Sequence, residues 1–71
     1  MRSQTAVEWC SDNLVSVGDT IEVFIGERYA PVTLGWVPMI VKYIGTRAIV
    51  AMHGSTETLL TGGRGKRLPL G

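Results

Sequence analysis

Trp36-Val37-Pro38-Met39-Ile40-Val41-Lys42-Tyr43-Ile44, a tight turn at Gly45-Thr46-Arg47, then Ala48-Ile49-Val50-Ala51-Met52: residues 36–52 decide the fold. Both runs have strand length and are rich in β-branched and aromatic side chains, and the turn between them is short enough to make a hairpin. Reading alternate positions, Val37, Met39, Val41 and Tyr43 share one face of the first strand, and Trp36, Pro38, Ile40 and Ile44 share the other. The second strand is apolar on both faces as well. A strand that fills one core needs only one apolar face, so this hairpin carries more apolar surface than its own core needs.

Working outward, Val17 to Ile25 alternates, with Val17, Ile21, Val23 and Ile25 on one face and Gly18, Thr20 and Glu22 on the other, Phe24 being the exception. Residues 29–35 are less regular, and Pro31 excludes a central ladder position there. His53-Gly54-Ser55 turns the chain into a fourth strand, Thr56 to Leu60. Thr61-Gly62-Gly63-Arg64-Gly65 reads as a flexible loop, and Lys66 to Leu70 as a short final strand. Ahead of the strands, Thr5 followed by Glu8 fits a capping box. Val7, Cys10 and Leu14 recur at helical spacing, which predicts a short helix or helical turn over about 6–12. The expected architecture is therefore mainly β: a small antiparallel barrel of four to five strands with a short N-terminal helix. It is one domain over 1–71, with 1–4 flexible, 5–14 helical and 17–70 the barrel.

Composition narrows the class. In 71 residues, apolar types make up 45% and charged types 18%, with a mean hydropathy of +0.21. That excludes wholesale disorder, which goes with high charge and few apolar residues. No apolar run reaches the roughly 20 residues that span a bilayer. Met1 to Thr5 has no apolar stretch behind it, so no secretory signal is expected. With a single cysteine, Cys10, no internal disulfide can form, and a reducing, cytoplasmic setting is expected. The net charge of +1 hides an asymmetry. Residues 1–27 set Arg2 against Glu8, Asp12, Asp19, Glu22 and Glu27, a net −4, while residues 28–71 sum to +5.

From Val17-Gly18-Asp19-Thr20-Ile21-Glu22-Val23 through the 36–53 hairpin to Arg67-Leu68-Pro69-Leu70, the chain resembles the SH3-like barrel. It is similar to small proteins carried by bacteriophages and prophages. These share a Gly-Asp opening to the first strand, an Ile-Gly hairpin turn and an Arg-x-Pro-Leu-like ending. The resemblance covers about residues 17–70; Glu8-Trp9-Cys10 has no counterpart in the minimal barrel. Such barrels include nucleic-acid binders, peptide binders and inhibitors, so the likeness implies a fold rather than a function.

Three constellations could carry function. Arg64, Lys66 and Arg67, spaced by glycines, could meet phosphates or an acidic partner, but Arg67 stands where a Walker A loop needs Ser or Thr. Arg28 and Arg47 extend the basic set, and Tyr29 is the best candidate for an exposed aromatic contact. Trp36, Ile40, Ile44, Ile49 and Met52 are the expected oligomer interface, in a core or subunit contact for Trp36. The N-terminal segment or a second copy, most simply in a two-fold dimer, would cover the surplus apolar face. Cys10, Asp12, Asp19 and His53 offer no strained nucleophile turn and no oxyanion donors, so catalysis, a metal site and a cofactor are not expected. The function these readings favour is a phage- or mobile-element-type regulator that binds and modulates or inhibits a host protein complex in the host cytoplasm. The alternative is a nucleic-acid-binding module using the 62–67 loop.

Overall fold

A computed structural model describes residues 4–26 and 35–69. Among them, one helix precedes five strands: α1 (Ala6–Asp12), β1 (Thr20–Ile25), β2 (Gly35–Ile44), β3 (Ile49–His53), β4 (Thr56–Leu60) and β5 (Lys66–Arg67). The strands form one antiparallel sheet in the order β4-β3-β2-β1-β5, so β4 and β5 are its edges. The mainly β, antiparallel class with a short helix is as expected. The ladder runs from edge to edge, and no pairing joins β4 to β5 among the described residues.

The capping box forms at the start of α1. The Thr5 hydroxyl accepts from the Glu8 N–H at 3.1 Å, and the Thr5 N–H donates to Glu8 Oε1 at 2.9 Å. The helix ends in a Schellman motif: Val15 N–H donates to Cys10 C=O at 2.8 Å and Leu14 N–H to Ser11 C=O at 3.3 Å. The residue this motif holds left-handed is ordinarily glycine; here it is Leu14, at φ 57° and 88% exposed.

β1 starts at Thr20, later than the alternation from Val17 predicts. Ser16 to Asp19 form a turn closed by Asp19 N–H to Ser16 C=O (3.0 Å) and by Ser16 N–H to the Asp19 carboxylate (2.9 Å). Gly18 at φ 97° supplies the positive φ that this turn requires. Val17 is therefore exposed on a turn rather than seated on the sheet.

The inner face of the sheet carries Ile21, Val23, Val37, Met39, Val41, Ile49, Ala51 and Leu60, all buried. Ala6, Trp9 and Cys10 of α1, with Val15, cover the same face and complete one core. The expectation that the N-terminal segment would shield the second apolar face is thus corrected. A seven-residue helix covers one face, and its Trp9 is needed in the core. A β-bulge decides which residues are left outside. Val41 lies opposite Ala51, but Tyr43 lies opposite Val50, so Lys42 is an extra residue and the alternation reverses after it. Tyr43 turns outward, and Ile44 turns inward against the core beside Ile49.

Leu14 gives a direct test of the helix end. Left-handed backbone costs an L-residue roughly 1–2 kcal/mol, part of which glycine returns as unfolded-chain entropy. Leu14→Gly should raise the unfolding free energy by about 0.5–1 kcal/mol in urea titration, because its exposed side chain gives up no packing.

Candidate functional site

The basic segment is built into the fold rather than free. Gly62 pairs with Thr5, Ala6 N–H donates to Thr61 C=O (2.8 Å), and Gly63 N–H donates to Gln4 C=O (2.9 Å). Gly63 is buried so tightly that an added Cβ would lie 2.9 Å from Gln4 Oε1, with the Gln4 Cβ and Cγ at 3.2 Å. Gly65 C=O accepts from Phe24 N–H at 2.6 Å. The flexible loop expected over 61–65 is thus pinned on both sides.

Two of its three cations have internal partners. Lys66 lies opposite Val23, so its side chain takes the inner-face direction and its ammonium donates to the Gly62 and Arg64 carbonyls. Burial lowers its pKa, and the nearby Cys10 thiol opposes this. Burial likewise raises the Cys10 pKa, which makes that thiol a weak nucleophile. Arg67 lies opposite Glu22 on the outer face and donates from Nε to Glu22 Oε1 at 2.9 Å. Its guanidinium carbon also lies 4.1 Å from the Trp36 ring centroid, and Phe24 meets Trp36 edge-on at 5.5 Å. Arg64 keeps its charge in solvent, as does Arg47 on the β2–β3 turn. Arg28 and Tyr29 lie outside the described residues.

The expected interface set splits. Trp36, Ile40 and Met52 point to the outer face. Ile49 is fully buried and Ile44 is partly buried against the core, so neither belongs to the exposed outer face: the bulge at Lys42 turns Ile44 inward, and Ile49 stands between Ile44 and Leu60. Residues that simple alternation did not single out take their place. The outer face exposes Leu59 by 67%, Tyr43 by 64%, Phe24 by 51%, Ile40 by 50% and Trp36 by 38%, with Val50 and Met52 half-buried among them. Phe24 stood out only as an exception to its strand's pattern. Leu59 needs the β3–β4 register, which sets it opposite Val50.

Cys10, Asp12, Asp19 and His53 are not brought together. Cys10 is in the core, Asp12 accepts from the Gln4 amide at 2.6 Å, and Asp19 closes the 16–19 turn. His53 Nδ1 lies 3.1 Å from Pro38 C=O. Among the described residues, no three His, Cys, Asp or Glu side chains cluster where they could hold a metal, and no helix is long and apolar enough to cross a membrane. A cleft of about 690 Å³ runs between the end of β1 and β4.

Fold and surface together define a small single-sheet domain with one covered face and one apolar exposed face. Comparison with protein-family models, curated proteins and solved structures found no match.

Arg67 tests the polar corner of the outer face. A cation–π contact at this exposure is worth about 0.5–1 kcal/mol, and a surface ion pair about 0–1. Arg67→Ala should therefore lower stability by roughly 1 kcal/mol in urea titration, and Arg67→Lys should recover only part, lacking the planar stacking surface.

Proposed function

We propose that this chain is a small regulatory binding protein that docks on a partner protein through the outer face of its sheet. The exposure of Leu59, Tyr43, Phe24, Ile40 and Trp36 on that face carries the reading. With aromatic side chains of about 150–250 Å² each, these exposures leave a patch on the order of 500 Å², at the top of the range for monomers. A standard interface buries about 800 Å² per partner, so the patch would form most of one. Aromatic anchors, with the Glu22–Arg67 pair beside Phe24 and Trp36 at one end, match the makeup of protein interfaces.

In this reading, two copies meet across the same face in a two-fold dimer when no target is present, and the target competes with the dimer. The resemblance to phage and prophage barrels supplies the setting: a mobile-element product that inhibits or redirects a host complex. Light scattering should give twice the 7.7 kDa chain mass for the wild type and a single-chain mass for Tyr43→Ser/Leu59→Ser. Affinity capture from host lysate should recover one specific partner with the wild type and lose it with that variant. Recovery of none, or of the same partner by both proteins, would count against the reading.

Nucleic-acid binding through 62–67 has less support, because Lys66 and Arg67 already hold carbonyls, Glu22 and Trp36. With Arg64 the one cation of the loop that has no partner among the described residues, any such binding should weaken with salt at a log–log slope of about −1, against −2 to −3 for all three. Gel shifts over a salt series would measure this.

A further inference from the structure

The sheet has two edges, and the 690 Å³ cleft lies between them. One wall is the whole of β4, Thr56 to Leu60; the other is the end of β1, Val23 to Gly26, where β5, which pairs only Glu22 and Val23, gives out. Lining by consecutive residues marks each wall as a strand edge, since a strand face would contribute only alternate residues. The floor is apolar, formed by Val23, Ile25, Met39 and Leu60.

The hydrogen-bond phase shows what the β4 edge presents. Val41 N–H donates to Asp19 C=O, and Val41 C=O accepts from Gly18 N–H, so both backbone groups of Val41 face away from β3. Its partner Ala51 must then direct its own groups at β4, toward Thr58. The alternation leaves the N–H and C=O of Glu57 and Leu59 pointing out of the ladder toward the cleft. On the facing wall, Phe24 N–H is bonded to Gly65 C=O, and Gly26 follows on the same side of the strand.

A strand inside a layered fold fills about 4.8 Å between neighbours, about 10 Å between layers and about 3.3 Å per residue, or about 160 Å³ per residue. The cleft therefore has room for about four residues of extended chain, close to the five of β4. Its charge is uneven. Arg64, with no partner among the described residues, lines the cleft beyond the Leu60 end of β4, and the Lys66 ammonium stands near it.

We propose that this cleft is a strand-addition site that takes about four extended residues of a partner protein, with a carboxylate side chain at the Arg64 end. Backbone bonds to the outward groups of Glu57 and Leu59 would supply affinity, alternate side chains would fill the apolar floor, and Arg64 would select charge. Tyr43, Ile40 and Trp36 of the outer-face patch do not line the cleft, so the two sites can fail separately.

The test is a displayed library of random hexapeptides selected on the intact chain, with the enriched peptides resynthesised and titrated. Enriched peptides should be β-branched with an acidic residue, and Arg64→Glu should reverse that preference toward Lys. Glu57→Pro removes an outward N–H without touching the ladder, as proline does at sheet edges. It should weaken binding at least tenfold, while Glu57→Ala stays within twofold and Tyr43→Ser/Ile40→Ser, at two outer-face residues that do not line the cleft, leaves selection there intact. Amide exchange provides a second readout that needs no proline: bound peptide should slow the Glu57 and Leu59 amides. Lack of enrichment, equal binding to Glu57→Pro, or unchanged exchange at both amides would overturn the proposal. So would a drop in the chain's own solution mass on Glu57→Pro, which would give the cleft to a second copy.

Discussion

A five-stranded sheet has two faces, and among the described residues there is one seven-residue helix with which to cover them. The helix goes where the demand is greatest. Trp9 and Cys10 join one buried cluster with Ile21, Met39, Val41 and Ile49, four of the most deeply buried side chains among the described residues. Everything else follows from that allocation. The opposite face keeps its apolar residues in water, Lys66 and Arg67 of the C-terminal segment are drawn into ties that hold the sheet's edge, and the two edge strands stay apart across a cleft.

The outer face is not uniform. At one end, Phe24, Trp36, Arg67 and Glu22 form a closed set in which a ring edge, a ring face, a guanidinium and a carboxylate each satisfy a neighbour. At the other, Tyr43 and Leu59 stand out with only Val50 between them. The first cluster holds β1, β2 and β5 in register. The second has no such structural duty, which makes its exposure the more informative observation.

Much of this was legible in the residues. Thr5 and Glu8 announced the helix start, period-two alternation located β1 and β2, and Gly54 and Gly45 marked the hairpin turns. What escaped was relational. The bulge at Lys42 has no local signature in a strand apolar on both faces, since either phase of alternation looks acceptable; only pairing with β3 breaks the tie, and Ile44 and Tyr43 exchange faces with it. Leu14 in a position made for glycine is invisible to any propensity argument. Lys66 and Arg67 read as loop charges because sequence cannot show that Glu22 and the Gly62 carbonyl lie beside them.

The bridge between Thr5 and Gly62, with Ala6 and Gly63 bonded on either side, bears on how the protein folds as well as on its shape. The helix is too short to persist alone, and the partners that hold its first turn are more than fifty residues away along the chain. Closing that loop must precede the reward for closing it, so folding is governed by non-local contacts, as in other small β domains. The early part of the chain then has no stable structure of its own while synthesis is under way. It becomes a domain only when the glycine-rich segment arrives to fasten it.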